Sequence, residues 1–208
     1  EKLWEAFSWA DVAVAGPGMG TDENARMLME YVLEQNRIPT VIDADGLNLL
    51  AAHKELEKHA ENGAGKNLIL TPHPGELGRL LKTGKEEYRR EREQLVLKLA
   101  GKFGCTVAAK DAATLVAQAG RKEIYINTSG NDGMAAAGSG DVLAGIIGGL
   151  LAQGMKAFEA ACAGVYLHGA AGNKAAEWMG HYGMTATDII DAFAKITNIT
   201  VGKEQVKN

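Results

Sequence analysis

The residues best suited to chemistry are Gly138-Ser139-Gly140-Asp141, inside the stretch NTSGNDGMAAAGSGDVLAGIIGGLLAQG at 127–154. The first half of that stretch is small, polar and glycine-rich, with Gly130, Gly133, Gly138 and Gly140. The second half, from Val142 to Leu151, is apolar and has to be buried. A flexible backbone feeding into a buried helix gathers unpaired N–H groups and the positive helix end at one point. That is an anion site, and glycine lets the main chain come close because no Cβ intervenes. Asp141 puts a carboxylate where the anion should lie. It repels a resting phosphate, but a base that takes a proton from an attacking hydroxyl has to sit there. The other reading of Asp141 is an N-cap, a role that Asp, Ser and Gly all fill well. The long backbone-exposing loop ahead of it favours the base.

Further candidates stand at what read as strand ends. DVAVA (11–15) runs into Gly16-Pro17-Gly18-Met19-Gly20, a strand entering a glycine turn. In open parallel sheets ligands bind beyond the strand C-termini. PTVIDAD (39–45) carries Asp43 and Asp45, which share a face on an extended strand, and Asn48 follows. Asp45 alone reads equally as the cap of the helix DGLNLLAAH. Asp43 needs a partner, as an acid at the end of a buried strand does. TPHPGE (71–76) holds His73 between two prolines that fix its backbone, which makes it a candidate ligand contact. TVAAK (106–110) ends in Lys110, which reads either as a phosphate contact or as a snorkelling lysine.

These groups need a scaffold, and 208 residues with 46% apolar content suffice for one α/β domain with a sizeable core. The net charge of −4 argues against nucleic-acid binding by broad electrostatics. The two cysteines, Cys105 and Cys162, read as buried free thiols of a reducing, cytoplasmic compartment. No apolar run approaches the roughly 20 residues of a membrane helix, and no signal peptide is expected. The opening LWEAFSWA reads as the end of an element whose start is missing.

Helices are expected after Thr21-Asp22-Glu23-Asn24 to about Asn36, over DGLNLLAAH, from Glu76 to Leu81, and over Glu86–Phe103. Later ones are expected over 142–151, over 156–178 with His168 in the packing, and over 185–196 capped by Thr187. ATLVAQ and KEIYIN, with a turn at Gly120, suggest an antiparallel pair at the sheet edge. Gly63-Ala64-Gly65-Lys66 fails the full phosphate-loop pattern and reads as a surface turn. The tail from Thr197 is expected to fray.

Taken together, GPGMG (16–20), VIDADGLN (41–48), LTPHPGE (70–76), AAKDAAT (108–114) and NTSGNDGMAAAGSGDVLAGII (127–147) resemble the ADP/ATP-dependent NAD(P)H-hydrate dehydratases. LHGAAGNKAAE (167–177) matches as well, so the resemblance covers nearly the whole chain in order. It implies a ribokinase-like fold, a three-layer α/β sandwich with a mainly parallel central sheet. It also implies that 1–208 is one such domain without the strand–helix region with which the family begins. Ala137 stands where many members have glycine, and Ser139 where many have threonine.

The implied reaction is nucleotide-dependent phosphorylation of the ring hydroxyl of hydrated NADH or NADPH, followed by loss of phosphate. Asp141 is the implied base, with Gly138, Ser139 and Gly140 holding the transferring phosphoryl group. Lys110, Asp111, Ala112, Ala113, Thr114 and Gly140 are implied contacts of ADP or ATP, with Asn127, Gly130 and Asn131 shaping the nucleotide loop. Gly20, His73 and Asp141 are implied substrate contacts, and Gly18, Asp43 and Asn48 are placed with them. Mg2+ is implied without named ligands, and a homo-oligomer is implied by the family alone. One rival is a vitamin or sugar kinase of the same superfamily, which shares GSGD but not the HPGE stretch. The other is a non-catalytic nucleotide-binding fragment.

Overall fold

Successive residues of the short strands go to opposite sides of one sheet, and this decides the layering. Ile42, Leu68, Leu70, Val107 and Ala109 face one apolar cluster, while their neighbours Val41, Ile69, Ala108 and Val116 face another. Strands buried on both faces lie between two helical layers. The computed structural model describes residues 2–35, 37–61 and 67–197. Its strands are β1 (Ala13–Ala15), β2 (Thr40–Ile42), β3 (Leu68–Leu70), β4 (Thr106–Ala109), β5 (Leu115–Gln118) and β6 (Tyr125–Ile126). They form one six-stranded sheet in the order β1-β2-β3-β4-β5-β6. The first four are parallel, and β5 and β6 add antiparallel at the edge.

A sheet that grows in one direction through parallel crossovers of one hand places all the crossover helices on one face. Those helices are α2 (Glu23–Glu34), α3 (Ala44–Ala52), α4 (Lys54–His59), α5 (Pro74–Leu81) and α6 (Lys85–Phe103), following the N-terminal α1 (Lys2–Trp9). They supply Met29, Leu50, Leu56, Leu77, Leu99 and Phe103 to the first cluster. The opposite face is covered by α7 (Ser139–Ala152) and α8 (Ala157–Gly183) through Leu143, Ile147, Leu151 and Val165. Helix α9 (Ala186–Ile196) packs onto α8 through a smaller cluster around Ile189 and Ala192. The result is the three-layer α/β sandwich expected.

Several boundaries differ from expectation, each for a local reason. β2 stops at Ile42, and Asp43 and Asp45 do not share a strand face. Asp43 is the first residue after the strand, and Asp45 lies in the first turn of α3. Between them Ala44 holds φ 47, a left-handed conformation that costs a non-glycine residue roughly 1–2 kcal/mol. Helix α5 begins at Pro74 rather than Glu76, because proline suits the first helical position. α6 is broken at Glu91 (φ −128, ψ 27). α9 is capped by Thr185 and not by Thr187, since only Thr185 has an acid three residues on, Asp188, to close the capping box. The 63–66 turn and the tail after Thr197 lie outside the described residues.

Candidate functional site

Strands β1 to β3 end at one edge in register, Ala15 beside Ile42 and Ile42 beside Leu70, and β4 runs on from Val107 beside Leu70 to Ala109 at the same edge. The segments leaving these strands therefore meet at one place. Gly16 comes first. Its φ is +119, and a Cβ there would lie 1.8 Å from the Asp43 carbonyl oxygen, so only glycine lets the two loops pass. Gly18 and Gly20 also hold positive φ, of 64 and 76, and face open space. The Gly20 N–H donates to Asp45 Oδ2 at 2.9 Å, which gives Asp45 the task of holding the glycine turn.

Asp43 is fully buried. Its Oδ1 lies 2.5 Å from Lys110 Nζ, the partner that a buried strand-end acid required. Among the described residues its Oδ2 has no hydrogen-bond partner, and neither has Asn48 Oδ1 nearby in sequence on α3. His73 caps α5, accepting the Gly75 N–H on Nδ1 at 2.9 Å. That bond puts the proton of the neutral ring on Nε2, which stands 3.2 Å from Glu76 Oε1. Glu76 Oε2 in turn accepts the His73 N–H at 2.8 Å. Burial lowers the His73 pKa from its ordinary value, and the positive charges of Lys110 and Arg79 add to that. Burial raises the Glu76 carboxyl against the His73 N–H bond and Lys110. Lys110 and Asp43 act on both groups, so the ends of β2, β3 and β4 share one electrostatic site.

Opposite these ends stands the start of α7. Gly138 occupies the N-cap at φ 83, and no side chain caps the helix. Asp141 is therefore not the cap. It lies exposed in the first turn. A Cβ on Gly140 would lie 3.1 Å from Lys110 Nζ and 3.6 Å from Asp43 Oδ2, so the ion pair sits at the helix mouth.

A cavity of about 630 Å³ opens there, between α7, α8 and the 127–137 segment. Of the expected nucleotide contacts, Lys110, Asp111, Ala112, Thr114, Asn127, Gly130, Ser139 and Gly140 line it, as does Asn131, while Ala113 and Gly138 do not. Asn127 is buried. It donates to the carbonyls of Ser129 and Val165 at 3.1 and 3.2 Å, tying the segment to α8. Asp141 does not line this cavity. It lines an adjacent groove of about 510 Å³ formed with Val142, Ile146, Ile190 and Phe193. Gly18, Gly20, Asp43, Asn48 and His73 line neither.

Three polar cavity residues escaped the sequence reading. Ser129 and Asp132 lie within the glycine-rich stretch. His168, expected in the packing, lines the cavity wall with Val165 and Gly169. Those three recur at i, i+3 and i+4 on α8, a signal that was present in the sequence. His168 Nε2 lies 3.3 Å from Ser139 Oγ. Burial, opposed by the Ser139 contact, lowers its pKa to about 4.

The unpartnered Asp43 oxygen bears on the metal. Mg2+ takes oxygen ligands and is held by one or two carboxylates together with substrate phosphates. A buried carboxylate oxygen beside a glycine helix mouth fits that role, and Glu76 is a second buried carboxyl in the same field. Among the described residues, Glu30, Glu34 and His59 also have metal-type spacing, but they line no part of the cavity. Cys105 and Cys162 are free thiols, and burial pushes Cys162 up to about 11.

A mainly parallel sheet whose strand ends meet the glycine-led start of a helix, beside a cavity, has the arrangement of a ribokinase-like site. The family model for NAD(P)H-hydrate dehydratase (Carb_kinase) matches residues 1–195. The chain belongs to that family. It is 47% identical over 187 residues to the ADP-dependent (S)-NAD(P)H-hydrate dehydratase of Neisseria meningitidis serogroup B, covering 89% of this chain and 62% of that one. It is 41% identical over 191 residues to the bifunctional NAD(P)H-hydrate repair enzyme Nnr of Moorella thermoacetica, covering 92% of this chain and 35% of that one. The chain thus spans between one third and two thirds of the length of these relatives. Among solved structures, a ribokinase-like superfamily protein of Enterococcus faecalis V583 superposes with TM-score 0.80 at 31% identity, over 94% of this chain and 65% of that one. The ADP/ATP-dependent NAD(P)H-hydrate dehydratase of Bacillus subtilis, co-crystallised with ATP/Mg2+, superposes with TM-score 0.76 at 25% identity, over 93% of this chain and 68% of that one.

Proposed function

We propose that this chain performs the nucleotide-dependent dehydration of hydrated NADH or NADPH, with ADP or ATP as phosphoryl donor. The observation that carries the reading is the cavity at the uncapped start of α7, lined by Lys110, the 111–114 turn and the 127–136 segment. In this reading the adenine nucleotide occupies that cavity, with its phosphates toward Gly140 and Lys110. The backbone N–H groups of Ser139 and Gly140 stabilise the charge that develops on the transferring group. Asp141 takes the proton of the ring hydroxyl from the other side of the same helical turn. The neutral His73 ring and the Gly18–Gly20 turn orient the hydrated nicotinamide. Asp43 would hold Mg2+ through its Oδ2. Bound there, the ion neutralises charge on the phosphates.

Phosphorylating the hydroxyl makes it a good leaving group; the ring nitrogen lone pair then expels phosphate to leave an iminium, and loss of a proton from the ring carbon next to the one that carried the hydroxyl restores the dihydronicotinamide. No helix among the described residues is long and apolar enough to cross a membrane. A cytoplasmic homo-oligomer is part of this reading, and sedimentation of the purified chain checks the oligomer. The function itself is tested by incubating the chain with hydrated NADH and either ADP or ATP. Return of dihydronicotinamide absorbance with release of phosphate is the expected result. Build-up of a phosphorylated product assigns a small-molecule kinase instead, and nucleotide binding without turnover assigns a non-catalytic module.

A further inference from the structure

Asp111 lines the nucleotide cavity, yet its carboxylate is occupied by donors of the protein itself. Oδ1 accepts the Ala112 N–H at 2.8 Å. Oδ2 accepts the Tyr88 hydroxyl at 3.1 Å and lies 3.4 Å from Arg92 Nη1. Both donors come from α6, one on each side of its break at Glu91. Tyr88 is buried, and that burial, reinforced by the Asp111 charge, holds its phenol well above the ordinary range. Its hydroxyl is therefore protonated and donates at neutral pH. Within the turn, the Thr114 hydroxyl lies 3.4 Å from the Asp111 carbonyl oxygen. The segment that presents Ala112 and Thr114 to the cavity is thus tied through Asp111 to a helix that lines none of it.

We propose that Tyr88 and Arg92 are positioning residues for the adenine nucleotide, acting through Asp111. This rests on reading the cavity as the nucleotide site. Fixing the backbone of each turn residue costs about 1–2 kcal/mol of conformational entropy. A turn held by α6 meets that cost on folding, so it does not weaken binding. Without the clamp the nucleotide has to order the turn itself. Affinity falls while the chemical step, at the α7 mouth, is little changed. The role of Asp111 in this account is to receive the clamp rather than to touch the ligand.

The test titrates ADP and ATP, with Mg2+ present, into the full chain by calorimetry, alongside steady-state kinetics. Tyr88→Phe removes one hydroxyl and keeps the ring that packs in the core. The expected result is about 5- to 10-fold weaker nucleotide binding, as the loss of one hydrogen bond implies. The nucleotide KM should rise by the same factor, with kcat and the KM of the other substrate within about twofold. Arg92→Lys should retain more affinity than Arg92→Gln. The double variant Tyr88→Phe/Asp111→Asn should bind little worse than Asp111→Asn alone, because both changes break one contact. Unchanged nucleotide affinity in Tyr88→Phe overturns the inference. So does an additive double variant, or a loss of thermal stability that lowers kcat and raises both KM values together. If the wild-type chain binds no adenine nucleotide, the cavity reading and the inference fall together. If it binds and Tyr88→Phe binds equally well, only the inference falls.

Discussion

Asp43 and Lys110 stand 67 residues apart in the chain and 2.5 Å apart in space, at the mouth of α7. The Asp43 side chain is 1% exposed and that of Lys110 is 20% exposed, so the two charges depend on each other unequally. Removing the lysine strands a carboxylate in the interior, whereas removing the acid leaves a lysine that water can reach from the cavity. Breaking a buried pair from the side that strands a charge costs about 3–5 kcal/mol. Lys110→Met should therefore lose about that much stability and Asp43→Asn clearly less, both read from urea unfolding at neutral pH. The double variant should lose less than the two single losses combined. Equal and additive losses would show that the pair does not couple.

His168 makes stability depend on acidity. Its ordinary pKa is 6.5 and burial lowers it to about 4 in the folded chain. Between those values the unfolded chain takes up a proton that the folded chain refuses. Stability is therefore complete above pH 6.5 and declines as the pH falls, with the full penalty of roughly 3 kcal/mol reached below the folded pKa. Glu76 acts with the opposite sign, because its raised carboxyl favours the protonated folded state on acidification. The comparison that isolates His168 is thus wild type against His168→Gln, in which Glu76 is common to both. Urea unfolding between about pH 7 and 4.5 should show the wild type losing more stability than the variant. Parallel profiles would place the imidazole in water.

Much of this architecture was legible in the sequence because it is written in short-range features. Short, largely apolar runs followed by glycine, aspartate, Thr-Pro or lysine mark β1 to β4, and the switch from glycine-rich loop to apolar run marks α7. The cap of α9 was misread as Thr187 although the signal was present, since Asp188 supplies the acid three residues after Thr185 and Ile190 cannot do so for Thr187. The meeting of Asp43 with Lys110 was not legible, because it depends on strand register. Nor was the separation of Gly140 from Asp141. These neighbours in sequence line different cavities, since consecutive helical residues point about 100° apart. Asp45 was misplaced for a similar reason. The φ of 47 at Ala44 turns the chain into α3 one residue early, and apolar pattern carries no sign of that.

Two glycines test whether backbone approach holds the site together. At Gly16 an added Cβ would overlap the Asp43 carbonyl at 1.8 Å, in a backbone with φ +119. Both the clash and the conformation oppose a side chain, and neither partner is a flexible side-chain tip. Gly16→Ala should cost about 3–5 kcal/mol and displace Asp43. Gly145 lies within α7, and an added Cβ would meet nothing within 4 Å. Gly145→Ala should instead stabilise by about 0.5–1 kcal/mol through helix propensity. Thermal and urea unfolding of both variants checks the contrast, and equal effects would deny that the loops meet at Gly16.

Asp141 offers the sharpest separation of chemistry from binding. Its carboxylate is exposed and lies on the groove side of the first turn of α7, while Gly140 beside it lines the cavity. An exposed side chain without a hydrogen-bond partner contributes little to the fold, so Asp141→Asn should leave stability within about 0.5 kcal/mol of wild type. The nucleotide does not need this carboxylate, and its affinity should hold or improve slightly as a negative charge near the phosphates is removed. Turnover of hydrated NADH should fall by about 10²–10⁴, the usual contribution of a positioned general base. Calorimetric nucleotide titration alongside the absorbance assay separates these outcomes. Turnover within threefold of wild type, or nucleotide affinity lost in proportion to kcat, would remove Asp141 from the proton transfer and leave the start of α7 as a phosphate site alone.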